Sequence, residues 1–175
     1  MRSDIITIDN AGNGFQEAVD QTKKVAAYEG ISELDSIQLQ VLTEEMLSLA
    51  RSITGEVKAS FWIEMENGQA DLHMTTKAVL DKEKRAELIA SSTSRKNEAA
   101  KTFLGMLRDQ FEEAMAADPE HYVPSEDILA DLPGGVYDEQ EWDGYERSIL
   151  RELADSIKIS IVGDTVDITV TKKFN

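Results

Sequence analysis

The chain contains no cysteine. That absence excludes disulfides, thiolate metal sites and thiol nucleophiles. It suits the cytoplasm, which is the expected location. Histidine is nearly absent too. His73 and His121 are the only two, and without cysteine they do not suggest a zinc site. No apolar run reaches the roughly 20 residues that a membrane-spanning helix needs. The stretch Met1 to Asn10 lacks the positive, apolar, small-residue order of a secretion signal. Cations are scarce, with 18 Lys and Arg against 34 Asp and Glu and a formal net charge of -16. Such a surface repels nucleic acid and anionic lipid, because phosphate recognition needs clustered Lys and Arg. The chain has no Gly-x-x-x-x-Gly-Lys phosphate loop and no evident Ser-His-Asp arrangement. Its three prolines all fall between residues 118 and 146, a stretch with ten carboxylates and no Lys or Arg. Self-repulsion and proline argue for loop there.

What is present suits one domain of 175 residues, 1–175, with an insertion at about 81–143. Asp4 to Asp9 has strand character, and Asn10-Ala11-Gly12-Asn13-Gly14 breaks it. A helix follows from Phe15 and should end at Gly30. Ser32 or Asp35 caps a second helix, with Ile37, Leu39, Leu42, Met46 and Leu49 on its apolar side and Gly55 as its stop. Asn67-Gly68 predicts a hairpin with a type I′ turn. That turn pairs Met65 with Ala70, Ile63 with Leu72, and Phe61 with Met74 on one side, and Trp62 with His73 on the other.

Residues 81–90 read as helix. A longer helix is predicted from about Arg95 to Ala117, with Phe103, Met106, Leu107, Gln110, Phe111 and Met115 as its stripe. A last helix spans Gly144 to Asp155. A closing ribbon turns at Gly163-Asp164 and pairs Ile161 with Val166, Ile159 with Ile168, and Ile157 with Val170. The two ribbons and the first strand make one sheet roofed by helices. The expected fold is therefore α+β, a two-layer sandwich with a mixed, mostly antiparallel sheet and helices on one face.

The order strand, helix, helix, hairpin, insertion, helix, hairpin resembles the GHKL superfamily, the Bergerat ATP-binding fold. It is most similar to bacterial anti-sigma serine kinases and histidine-kinase ATPase domains. The resemblance covers roughly residues 3–80 and 141–173. It implies three motifs. On the second helix Glu44 falls on the family's base or water-orienting glutamate. Arg51 falls on its basic position. Ser48 stands where the family has the Asn that supplies an amide oxygen to Mg²⁺, and a serine hydroxyl is a shorter, weaker ligand. After the first hairpin the family has Asp-x-Gly-x-Gly around adenine. Here Thr75 to Leu80 carries Thr76 or Lys77 near the Asp position and no glycine. Before the last helix the family has a glycine-rich turn for the triphosphate. Here Gly144 stands alone among Glu141, Asp143 and Glu146.

The resemblance with these departures implies a retained fold with an eroded ATP site, acting as a regulatory or protein-interaction module without a cofactor. Its partner is a regulatory protein of unstated identity. Phe103, Leu107 and Phe111 of the insertion are the expected plugs of the old pocket. The alternative is a working anti-sigma-type serine kinase or ATPase, with Glu44 as base and Ser48 as Mg²⁺ ligand. A third reading is a sandwich unrelated to ATPases. Glu44 and Glu45 do not make a paired acid site, since adjacent helix residues point about 100° apart. The acidic run around Asp138 to Asp143 lacks calcium-loop spacing. Trp142 and Tyr145 within that acidic stretch have the composition of a partner contact.

Overall fold

A computed structural model describes residues 1–9, 11–54, 58–100, 103–116 and 149–174. Strand β1 (Ile6–Ile8) leads into helices α1 (Phe15–Glu29) and α2 (Glu33–Thr54). The hairpin β2 (Ala59–Glu66) and β3 (Gln69–Lys77) follows, then α3 (Lys82–Ser91), a 3₁₀ turn (Glu98–Ala100) and α4 (Phe103–Ala116). Residues 149–153 are helical. They precede the closing hairpin β4 (Ser156–Val162) and β5 (Thr165–Lys173). The five strands form one sheet in the order β1-β2-β3-β5-β4. The fold is a two-layer α+β sandwich. The expected mixed sheet is corrected: every neighbouring pair is antiparallel. The closing hairpin docks through β5, which runs against β3, so no parallel pair arises.

Alternation makes the two layers. Every second residue of β2 is buried, from Ala59 to Met65, and the same holds from Ala70 to Thr76 in β3. Phe61, Leu72 and Ile168, each no more than 1% exposed, lie at the centre of the core beneath the helices. Burying each such side chain contributes about 1.5–3 kcal/mol. The hairpin turn is as predicted, with φ of 52° at Asn67 and 74° at Gly68. All four expected pairs in the first hairpin are present, as are the three in the second.

Gly14 begins α1 at φ 81°, and a Cβ there would sit 2.2 Å from the Thr7 carbonyl oxygen. Only glycine lets this helix start so close to β1. Gly30 ends it in the left-handed conformation, with its N–H donating to Ala26 and Ala27. Ser32 caps α2 by accepting from the Asp35 N–H at 3.1 Å. The two helices share a buried polar contact: the Thr22 and Thr43 hydroxyls lie 3.0 Å apart, so one donates across to the other while its partner donates to a carbonyl of its own helix. Ile37 departs from expectation and is half exposed. It lies about 200° around the helix from buried Leu39.

The helix expected from Arg95 starts later. Arg95 takes φ 52°, and the Asn97 side-chain oxygen accepts from the Ala99 N–H at 3.1 Å. The chain therefore turns through 98–100 before α4 begins. Met106 and Leu107, expected in the buried stripe, are 48% and 49% exposed. Leu107 is thus no plug of a buried pocket. The side chains of Phe103, Gln110, Phe111 and Met115 lie outside the described residues. So do Gly55, the acidic stretch 118–146 with Trp142 and Tyr145, and the first part of the last helix.

Candidate functional site

Glu44, Ser48 and Arg51 follow one another along α2 at spacings of four and three, so they share a face. That face is only partly toward the core. Glu44 and Arg51 are exposed and Ser48 is half buried. Arg51 lines a cavity of about 20 Å³ with Phe15, Leu47 and Met74. That space admits one water, whereas ligand pockets run to several hundred Å³.

Thr76 is buried near the end of β3, between Ala59 and Val166 of the neighbouring strands. Its hydroxyl donates to the Lys58 carbonyl at 3.4 Å. Lys77 is exposed and pairs with Asp164 of the second hairpin turn at 3.5 Å. Among the described residues no hydrogen bond or ion pair joins Glu44, Ser48 or Arg51 to Thr76 or Lys77. Among the same residues, no three His, Asp or Glu side chains come close enough to hold a metal ion together. No polar contact among the described residues joins the α2 trio to the strand end, although Arg51 shares its small cavity with Met74, two residues before Thr76 on the same side of β3.

Two polar clusters lie outside the expected site; the first contains the Trp62–His73 pair expected from the hairpin register, and the second was not anticipated from the sequence. The first lies on the open face of the sheet. His73 stacks on Trp62 with ring centres 5.0 Å apart and planes 12° apart. Arg2 sits over the indole at 5.3 Å and pairs with Glu64 at 3.4 Å. The His73 Nδ1 is 3.2 Å from the Thr169 hydroxyl, and its Nε2 is buried without a partner among the described residues. Burial holds the imidazole pKa below its usual 6.5, Glu64 and Asp71 push it up, and Arg2 pushes it down.

The second cluster joins α3 and α4 to the outer edge of β4. Arg85, 5% exposed, is bound by Asp109 and lies 4.0 Å from Glu112. Asn97 donates from Nδ2 to Asp109 and, at 2.9 Å, to the Ile161 carbonyl. It accepts the Ile161 N–H at 2.9 Å through Oδ1. This one side chain satisfies both edge groups of Ile161, as a paired strand would. Thr93 does the same for Ile157, accepting its N–H at 2.7 Å through the hydroxyl and donating its own N–H to the Ile157 carbonyl at 2.9 Å. Edge strands need such cover. Arg85 had one sequence signal, its place one turn before Leu88 and Ile89 on the inward side of α3. Asn97 had none, because a side chain that mimics a strand has no period.

Compared with known proteins, the chain matches no family model, and no curated protein matches it. No helix among the described residues is long and apolar enough to cross a membrane.

Proposed function

We propose that this chain is a GHKL-like domain with an eroded nucleotide site that works as a regulatory protein-interaction module in the cytoplasm. One observation carries the reading. Of the two residues near the position from which the family's aspartate would read adenine, Thr76 is buried with its hydroxyl committed to the Lys58 carbonyl and Lys77 is paired with Asp164. No glycine between Thr75 and Leu80 lets a base approach the backbone. The strand order with α1 and α2 between β1 and β2 supports the fold half of the reading. Ser48 offers one half-buried hydroxyl where Mg²⁺ would want an amide or carboxylate oxygen.

Thermal denaturation of the full chain with millimolar Mg²⁺-ATP, Mg²⁺-ADP and no nucleotide tests it. A ligand at about 100 times its Kd would stabilise the fold by about 2.7 kcal/mol. No shift is expected. Saturable stabilisation that disappears in Glu44→Ala would overturn the reading and favour the working kinase, with Ser48 on the metal.

A further inference from the structure

The charge of the chain is uneven. Residues 77–108 hold eight of its 18 Lys and Arg against four carboxylates, within a chain of net charge -16. Much of this positive segment surrounds a cleft of about 730 Å³ between α3, the turn after it and α4. The floor is apolar and small: Ala86, Ile89 and Ala90 on α3, Ala100 in the 3₁₀ turn and Met106 on α4. Ala86, Ile89 and Ala90 stand at i, i+3 and i+4, so they form one stripe. Three alanines let another backbone come close. Lys82, Arg95 and Lys96 line the cleft with exposed side chains, and none makes an ion pair among the described residues.

The buried polar groups beside the floor are already spent. Arg85, Asp109 and Asn97 bind one another and the β4 edge. Small-molecule sites use convergent polar groups set within the pocket for orientation, whereas the cations left here are exposed at the rim. What remains is an apolar stripe with three exposed cations on α3 and the turn, where Glu98 is the one carboxylate lining the cleft among the described residues, and the carboxylates Asp109 and Glu113 on α4. That asymmetry suits a helix with an apolar face and one acidic edge.

We infer that this cleft docks an acidic amphipathic helix of a partner protein, its apolar stripe on Ala86, Ile89 and Met106 and its carboxylates against Lys82, Arg95 and Lys96. This rests on the reading of the chain as an interaction module and supplies that module's partner chemistry.

The test uses the full ¹⁵N-labelled chain and a synthetic helical peptide with Leu at helical spacing and Glu along one edge. The same peptide with Lys in place of Glu, and inorganic pyrophosphate, are the controls. Saturable amide shifts at Ala86, Ile89, Ala90 and Met106 are expected with the Glu peptide alone. The triple variant Lys82→Glu, Arg95→Glu, Lys96→Glu should weaken its Kd roughly tenfold or more. All three side chains are exposed, so the variant should keep the dispersed spectrum of the folded chain.

The inference is overturned if no shift saturates, if the shifts lie elsewhere, or if the Lys peptide binds as well. Pyrophosphate reproducing the shifts would make the cleft a small-anion site and overturn it too. So would concentration-dependent shifts at these residues without peptide, which would mark a second copy as the occupant. Mg²⁺-ATP shifting Thr75 to Leu80 would instead sink the eroded-site reading and leave the peptide result to be judged separately.

Discussion

Under α1 and α2 the sheet meets its cover through Phe61, Leu72 and Ile168, each no more than 1% exposed. Beyond β4 it meets the 92–112 segment through Thr93, Asn97 and the Arg85–Asp109–Glu112 group. The first junction binds two helices to the sheet, and the second binds the irregular chain between α3 and α4 to it. The first is apolar contact, which is proportional to area and indifferent to angle. The second is hydrogen bonding and ion pairing, which is directional and fails when one partner leaves. The covered face should therefore lose stability gradually as atoms are removed. The β4 flank should lose it by single groups, and locally.

The largest effect should come from the covered face. Phe61→Ala empties the middle of the core and should cost about 3–5 kcal/mol in urea unfolding. A loss below about 1 kcal/mol would mean the core closes over the gap and that its packing is looser than its burial implies. Next is Asp109→Ala, which leaves buried Arg85 with Glu112 at 4.0 Å as its remaining carboxylate among the described residues. Breaking a buried pair costs about 3–5 kcal/mol. Asp109 is 23% exposed, so about 2–3 kcal/mol is expected. Hydrogen exchange should quicken in α3, α4 and β4 while the amides of Phe61 and Leu72 keep their protection. Uniform loss of protection would erase the distinction between the two junctions.

Asn97→Ala should cost less, about 1–2 kcal/mol, since the bonds it loses to Ile161 are between neutral groups. Its signature is faster exchange at the Ile161 amide, whose partner is the Asn97 oxygen. An unchanged Ile161 rate would show that the side-chain bridge does not cover the edge.

The smallest effect lies on the open face. The folded-state pKa of His73 is lowered, first by burial. Below about pH 6.5 the unfolded chain takes up this proton before the folded chain does. The contribution is complete above pH 6.5 and lost as pH falls toward the folded-state value. Glu64 and Asp71 oppose that loss. Comparing stability of the parent and His73→Gln between pH 7.5 and 5.5 isolates it. A stability difference that does not change with pH would exclude any role for His73 protonation.

The parts of the fold held by apolar contact were legible in the sequence. A period of two along Ala59 to Met65 and Ile157 to Ile161, with Asn67-Gly68 and Gly163-Asp164 between runs, specified both hairpins and their pairing. Gly30 and Ser32 marked helix ends because their chemistry is local. The stretch from Arg95 was misread as helix because its residue types suit a helix start while its hydrogen bonds go elsewhere. Asn97 reaches 64 residues along the chain to Ile161, and no window of sequence contains both. Met106 and Leu107 keep helical spacing yet stay half exposed, since periodicity names a face and does not say what covers it.

The candidate site divides in the same way. The residue types at Thr76 and Ser48, on which the proposed reading rests, were visible in the sequence. The lack of a polar contact, among the described residues, between the α2 trio and Thr76 or Lys77 was not. By itself the sequence determined the strands, their pairing within each hairpin and the two helices after β1, because alternation and capping act over a few residues. Only the tertiary structure decided that β5 lies on β3, that Asn97 closes the β4 edge, and that Lys82 and Arg95 face one cleft. Those outcomes depend on which distant surfaces meet, and burial and charge pairing choose among them only once the chain is folded.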